Sequence, residues 1–227
     1  MKNFLSASPL RSKLPLLSAL LLSSGLSVTM WIARVVYTQH VSFFGLNWNL
    51  LLAWIPLCFA LTAWLLVQRN AFFPLVLLLL AGWLLFLPNA AYIVTDLVHL
   101  YPRKEAPFWY DALLVFSFAW NGLILGMTSV WIVQSLVERW WGALAGWLLA
   151  GGALFASSFG IYLGRFLRWN SWDLFLEPHN LLSDIFSILR NPLDHPRTLG
   201  VTLLLSGLLL VIYVTMTLLT RVKWESS

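Results

Sequence analysis

The sequence predicts an all-α, polytopic membrane protein, and three observations lead to that prediction. Hydrophobic residues make up 60% of the 227 residues, charged residues make up 10%, and the mean hydropathy is +0.81. Soluble domains carry about 25% charged residues, so this composition lies far outside the globular range. Six charge-free runs are each long enough to cross a hydrocarbon core of about 30 Å as a helix. No linker rich in Gly or Ser divides the chain, so we expect one transmembrane domain over residues 1–227.

The six predicted spans are joined by short connections, except before the last one. They cover about residues 14–36, 46–67, 71–93, 110–137, 140–165 and 198–220. Very short linkers near residues 68–70 and at Glu138–Arg139 predict that spans 2 and 3, and spans 4 and 5, form antiparallel hairpins. The basic start of the chain resembles a signal peptide, but the apolar run after it exceeds the roughly 7–15 residues of a cleaved one. We therefore expect span 1 to be retained in the mature protein as a transmembrane helix.

The segment at residues 170–191 predicts an amphipathic surface helix between spans 5 and 6. Asn170 or Ser171 can cap a short helix, with Asp173 placed to complete a capping box. Pro178 suits the first position of a second helix. Apolar residues then recur at helical spacing until Asn191 and the proline after it, which is typical of a helix lying on the membrane surface.

The polar residues are distributed unequally between the two predicted membrane faces. An even number of spans places both termini on one side, whereas all four histidines and seven of the nine acidic residues fall on the other. Lys and Arg divide evenly, seven to each side, so the positive-inside rule alone is undecided. The basic flank before span 1 favours cytoplasmic termini, because the first helix usually dominates orientation.

The motif PNAAYIVTDLVHL at residues 88–100 introduces polar side chains at the end of span 3. Asn89, Tyr92, Asp96 and His99 share one helical face, so they can act on one partner. Ionisable groups at the end of a span indicate a functional site. Asp96 and His99 are therefore candidate acid–base catalytic residues, and Asn89 and Tyr92 are candidate ligand-binding residues. Pro88 predicts either a kink or a break and restart of the helix.

Spans 4 and 5 contribute the remaining candidate ligand-binding residues. The set consists of Asp111 at the mouth of span 4, with Tyr162, Arg165, Arg168 and Asp173 from FGIYLGRFLRWNSWD. Paired arginines suit a phosphate or carboxylate, since each guanidinium donates two hydrogen bonds in a fork. The alternative is that these arginines only neutralise the nearby acids.

Two further features concern packing between helices. Asn121 lies too deep in span 4 for water, so it needs a partner on another helix, for which a carbonyl near Pro88 or Asn89 is a candidate. Gly122 and Gly126 in span 4, with a stripe of small residues in span 5, predict a tight contact between these spans. A homodimer seam is the alternative use of the stripe.

The sequence assigns no cofactor and no metal site. Cys58 is the only cysteine, so a thiolate cage is unavailable, and no compact ligand motif such as HExxH occurs. The net charge of +5 is spread beside the spans and is better explained by anionic lipid headgroups than by nucleic acid. The expected partners are membrane lipids, with a membrane-protein partner or a second copy of the chain left open.

The chain resembles a bacterial integral membrane family catalogued as domain of unknown function 1361. The resemblance is carried by LPNAAYIVTDLVHL at residues 87–100, WYDALLVFSFAWNG at residues 109–122 and FGIYLGRFLRWNSWD at residues 159–173, within a region from Ala71 to the C-terminus. Ala91 stands where many members carry proline. The resemblance implies a multi-pass protein of the bacterial cytoplasmic membrane and supplies no reaction, substrate or catalytic residue.

Together these observations predict one polar vestibule, formed by the ends of spans 3, 4 and 5 beneath residues 170–191. We expect it to bind a polar or anionic, lipid-linked headgroup, and an enzyme of lipid or envelope metabolism would act through Asp96 or His99. One alternative is a structural or assembly subunit, in which the polar cluster serves folding alone. A transporter or flippase is the third hypothesis, although few polar residues continue toward the opposite face.

Overall fold

The computed structural model describes residues 13–102 and 104–220, with all of their side chains except that of His99. These residues form helices and no strands. The seven α-helices are α1 (Leu14–Thr38), α2 (Phe44–Gln68), α3 (Phe73–Tyr92), α4 (Phe108–Tyr162), α5 (Asp173–Leu176), α6 (Pro178–Arg190) and α7 (Pro196–Leu219).

Five helical stretches in the described residues are long and apolar enough to cross a membrane, as expected of a multi-pass membrane protein. They are Leu14–Thr38, Phe44–Gln68, Phe73–Val98, Phe108–Leu167 and Pro196–Leu219. The fourth stretch, of 60 residues, contains the predicted spans 4 and 5. Its backbone is helical through the expected linker at Glu138–Arg139 and departs from helical geometry at Gly142, with φ 87° and ψ 171°. Only glycine adopts that conformation readily, which explains why the break lies there.

The chain divides into two compact units with a boundary after Leu136. The amino-terminal unit contains α1, α2, α3 and α4 as far as Leu136. The carboxy-terminal unit contains the rest of α4 together with α5, α6 and α7. The single domain expected from the sequence stays a prediction.

Within the amino-terminal unit, α2 and α3 pack together as the predicted hairpin partners. The connection covers residues 69–72, and Asn70 takes a left-handed conformation that helps the chain turn (φ 50°). Ala53, Leu57 and Ala60 recur at helical spacing on α2 and are fully buried. The two alanines allow close packing of helices where lipid supplies no hydrophobic drive.

Helices α3 and α4 approach each other closely at Ala90. A Cβ atom placed on Gly122 would lie 2.3 Å from the backbone oxygen of Ala90, and one on Gly126 would lie 2.9 Å from the Cβ of Ala90. Nearby, Trp83 donates a hydrogen bond of 3.0 Å to Ser129 Oγ. The two glycines of span 4 thus serve a contact with α3, whereas the tight contact of spans 4 and 5 stays a prediction.

The backbone at Pro88 does not stop and restart as one alternative required. Helix α3 continues for four residues past the proline to Tyr92, and residues Ile93–His99 then form a 3₁₀ helix. The narrower helix carries Asp96 in its first turn and ends at Leu100, which is extended.

The carboxy-terminal unit contains a small apolar cluster around α6. Tyr162, Leu163, Leu181 and Ile188 form its buried part. Trp169 packs against them and donates a hydrogen bond of 2.9 Å to Asp184 Oδ2, which lies on α6. The sequence-predicted helix at this place is therefore present and anchored to the end of the preceding helical stretch.

Candidate functional site

A buried ion pair joins Arg34 of α1 to Asp111 in the first turn of α4. Arg34 Nε lies 2.6 Å from Asp111 Oδ1, and Arg34 Nη2 lies 3.1 Å from Asp111 Oδ2. Both residues are 1% exposed. The two parallel hydrogen bonds form the bidentate arrangement that makes arginine–carboxylate pairs strong and directional. Removing both charges from water costs several kcal/mol per ion, which this bidentate geometry has to offset.

The pair leaves one edge of the guanidinium unused. Nε and Nη2 occupy the edge facing Asp111, so the hydrogens of Nη1 project away from that carboxylate. Nη1 is buried, and no hydrogen-bond partner for it occurs in the described part of the chain. Glu105 approaches the other terminal nitrogen, with Oε2 3.9 Å from Nη2, and its side chain is 41% exposed. The ring of Phe43 lies 4.9 Å from Arg34 Cζ.

A cavity of about 360 Å³ adjoins this arginine. We call it the Arg34 cavity; it is lined by Ala33, Arg34, Tyr37, Ala106, Pro107 and Tyr110. Tyr110 is held by a hydrogen bond of 2.8 Å that its hydroxyl donates to the backbone oxygen of Met30. The cavity is therefore lined by one charged residue and mostly by apolar side chains at the carboxyl end of α1.

Asp96 is in contact with α2. Asn49 Nδ2 donates a hydrogen bond of 3.1 Å to Asp96 Oδ2, and Asp96 is half-buried. Asn89 Nδ2 donates a hydrogen bond of 3.1 Å to the backbone oxygen of Phe86 on its own helix. The side chain of His99 lies outside the described residues, so its role as a catalytic partner of Asp96 stays a prediction.

Asn121 joins three helices through a polar network inside the amino-terminal unit. Its Nδ2 donates to Ser27 Oγ at 2.9 Å and to the backbone oxygen of Ser23 at 3.2 Å. Ser24 Oγ donates to Asn121 Oδ1 at 3.5 Å and accepts a hydrogen bond of 3.2 Å from Trp54 Nε1 on α2. The partner of Asn121 is thus on α1, and the expected carbonyl near Pro88 or Asn89 is not the acceptor that these distances show.

The other predicted ligand-binding residues belong to the carboxy-terminal unit. Tyr162 is buried in the cluster around α6, and Arg165 lies in a π-helix formed by Leu163–Leu167. Arg168 is exposed and takes a left-handed conformation with φ 65°. Asp173 Oδ2 accepts a 2.6 Å hydrogen bond from the backbone N–H of Asn170, as in a capping box. Since these residues and Asp96 belong to separate units, their convergence in one vestibule stays a prediction.

Arg34 is the residue that sequence reasoning missed. It was counted only among the charges that bear on orientation, although it falls inside the predicted span at residues 14–36. A lone arginine near the end of an otherwise apolar span is the signal that could have identified it, because such a charge requires a partner. Within the described residues, no group of three His, Cys, Asp or Glu side chains is arranged to hold a metal ion.

No curated protein and no solved structure matches the chain. A family model described as "Protein of unknown function (DUF1361)" matches residues 48–212, which is more than half of the chain and includes the quoted motifs. The chain belongs to this family of proteins of unknown function.

Proposed function

We propose that this protein binds the polar headgroup of a lipid or lipid-linked molecule in the Arg34 cavity. The observation that carries the proposal is Arg34, which lines a cavity of about 360 Å³ and whose buried Nη1 is a donor for which the described residues supply no acceptor. A buried donor without an acceptor costs about 1–3 kcal/mol, and a bound oxygen would remove that cost. Apolar walls at the end of an apolar helix suit the region where a headgroup meets its acyl chains.

Chemistry at the same end of the helices would require Asp96 and His99 as acid and base. The hydrogen bond from Asn49 supports this extension, because it orients one oxygen of Asp96. The protein would then be an enzyme of lipid or envelope metabolism. Alanine at Asp96 or at His99 should abolish turnover without unfolding the protein, and retained turnover by both variants would reject the extension.

The membrane arrangement that we propose has six spans, with the break at Gly142 separating spans 4 and 5. Residues 143–162 then form a helix of about 30 Å, since each residue contributes about 1.5 Å. Helix α6 would lie on the membrane surface, and both termini would be cytoplasmic in a bacterial inner membrane.

Single-cysteine labelling tests that arrangement. In a Cys58→Ser background, Asn70→Cys and Ser183→Cys place one thiol in the α2–α3 connection and one on α6, both at exposed positions. Six spans predict that an impermeant maleimide labels Ser183→Cys in intact cells and labels Asn70→Cys only after permeabilisation. With five spans, the two positions would lie on the same side and be labelled together.

Lipid retention tests the binding proposal. Ala33 is exposed on α1 and lines the cavity, so Ala33→Phe should occupy it without altering the ion pair. Ala81→Phe is the matched control, because Ala81 is also exposed on a helix and does not line the cavity. Mass spectrometry of lipids retained by the purified protein should show one species lost from Ala33→Phe and kept by Ala81→Phe. Identical retention by both variants and the unmodified protein would reject the proposal.

A structural or assembly role is the second candidate function. It is favoured by Asp111 and Asn121, whose side chains are occupied by partners on α1. Under this reading, the polar groups join helices and no ligand binds. The same lipid experiment decides between the two functions.

A further inference from the structure

We infer that the Arg34 cavity selects lipids with an uncharged, oxygen-rich headgroup and that Glu105 excludes anionic ones. The inference rests on the proposed function, because it names the ligand class of the same site. It differs from the expectation of a polar or anionic headgroup, in which Arg165 and Arg168 would hold an anion. The charges around Arg34 lead to the opposite preference.

Arg34 is the cation among the cavity-lining residues, and its charge is already balanced. Asp111 makes two hydrogen bonds to it from a fully buried position, and Glu105 Oε2 lies 3.9 Å from Nη2. One positive and two negative groups therefore lie together at Arg34, which lines the cavity, and Ala106, the residue after Glu105, lines it as well. An anionic phosphate placed against Nη1 would add a third negative group without displacing Asp111.

The donor that remains available still requires an acceptor. Nη1 can donate to a hydroxyl, an ester carbonyl or a glycosidic oxygen, none of which brings charge. Such an acceptor satisfies the buried nitrogen and avoids repulsion from Glu105. Apolar wall residues such as Ala106 and Pro107 give an ionised headgroup no compensating hydrogen bonds from their side chains.

The occupant is a lipid rather than a free sugar, because of where the cavity lies. Ala33, Arg34 and Tyr37 belong to the final turns of α1, an apolar helix long enough to cross the membrane. The exposed neighbours Ile32 and Val36 continue the apolar surface of that helix. A diacylglycerol bearing a neutral sugar would place its acyl chains along this surface and its oxygen atoms at Arg34.

Glu105 is the residue that determines this specificity. It contacts Arg34 from an exposed loop position, so Glu105→Gln removes its charge while keeping its size and hydrogen-bonding capacity. Glu177→Gln is the charge-matched control, since Glu177 is also exposed but accepts a hydrogen bond from Asn180 instead of approaching Arg34.

The experiment is native mass spectrometry of the full chain in a detergent without sugar, with equal amounts of monoglucosyl diacylglycerol and phosphatidylglycerol. We expect the unmodified protein and Glu177→Gln to retain the glucolipid about tenfold more than the anionic lipid, since like charges a few ångströms apart repel strongly near a protein surface. Glu105→Gln should reduce the ratio to about one. Free glucose in excess should not displace the lipid.

Each other outcome has a distinct meaning. A preference for phosphatidylglycerol that Ala33→Phe abolishes would overturn the selectivity inference while supporting binding in the cavity. A glucolipid preference unchanged by Glu105→Gln would overturn the role of Glu105. Retention of both lipids regardless of Ala33→Phe would overturn the proposed function itself. Displacement by free glucose would show that the sugar alone is the ligand and would overturn the lipid assignment.

Discussion

Gly122 is the position where the smallest change should have the largest effect on the fold. In Gly122→Ala the added Cβ would lie 2.3 Å from the backbone oxygen of Ala90, whereas an ordinary carbon–oxygen contact is about 3.3 Å. Helices α3 and α4 must therefore separate by about 1 Å, and the backbone atom cannot move aside as a side chain could. Overpacking of this kind costs about 1–3 kcal/mol or more, offset by about 1 kcal/mol because alanine favours helix over glycine. We expect a net destabilisation of about 1–3 kcal/mol.

Two other glycines make this prediction a graded series. Gly126→Ala would place its Cβ 2.9 Å from the Cβ of Ala90, a less severe overlap than the 2.3 Å contact at Gly122, so its effect should be smaller. Gly25 on α1 has no described atom within 4 Å of its added Cβ, so Gly25→Ala should be neutral or slightly stabilising. Of the three variants, Gly122→Ala is expected to weaken the α3–α4 contact most.

The assay is the temperature at which each purified variant loses its monodisperse peak in size-exclusion chromatography. A change of 1 kcal/mol corresponds to about 2–4 °C for a chain of this length, so Gly122→Ala should lose about 2–12 °C. Gly126→Ala should lie between Gly122→Ala and the unmodified protein. If Gly122→Ala were as stable as Gly25→Ala, the close approach of α3 and α4 at Ala90 would be wrong.

Three further predictions concern the buried polar groups and the helix break. Asp111→Ala leaves a buried unpaired arginine and should cost about 3–5 kcal/mol, whereas the double replacement Arg34→Met with Asp111→Leu should recover most of the loss in thermal stability. Asn121→Ala removes the hydrogen bonds to α1 and should lower stability by about 1–3 kcal/mol in the same assay. An unchanged melting temperature would show that the network does not stabilise the fold. Gly142→Ala should lower the free energy of unfolding by about 1–3 kcal/mol, because the φ of Gly142 is 87°. Gly151→Ala is the control, since Gly151 lies in a regular helix with open space around its added Cβ. Equal stability of the two variants would contradict the break at Gly142.

The helices were predictable because lipid makes hydropathy a strong constraint on the sequence. The predicted spans at residues 46–67 and 198–220 differ from α2 and α7 by two residues at the start and one at the end. The predicted linker at Glu138–Arg139 is helical, since Glu and Arg are good helix formers despite their charge, and the departure from helical geometry lies at Gly142. Gly142 was the better indicator of a break, because glycine readily adopts the positive φ that is found there.

The partners of the polar residues were harder to predict, because pairing depends on contacts between distant parts of the chain. Asp111 was recognised as a candidate site residue, but its partner lies 77 positions earlier in the sequence. Asn121 was recognised as needing an interhelical partner, and its acceptors lie more than 90 positions away on α1. Composition and helical periodicity describe neighbours within one element, and they contain no information on which two helices meet.

The separation of Arg34 from Asp111 along the chain has a consequence for biosynthesis. A ribosome adding about 5–20 residues per second needs about 4–15 s to make the 77 residues between them. During that interval α1 emerges with an arginine whose counter-charge has not yet been translated, so the helix has to wait near the headgroup region or beside the insertion machinery. Final docking of the first helix can occur only after the fourth has begun to enter the membrane.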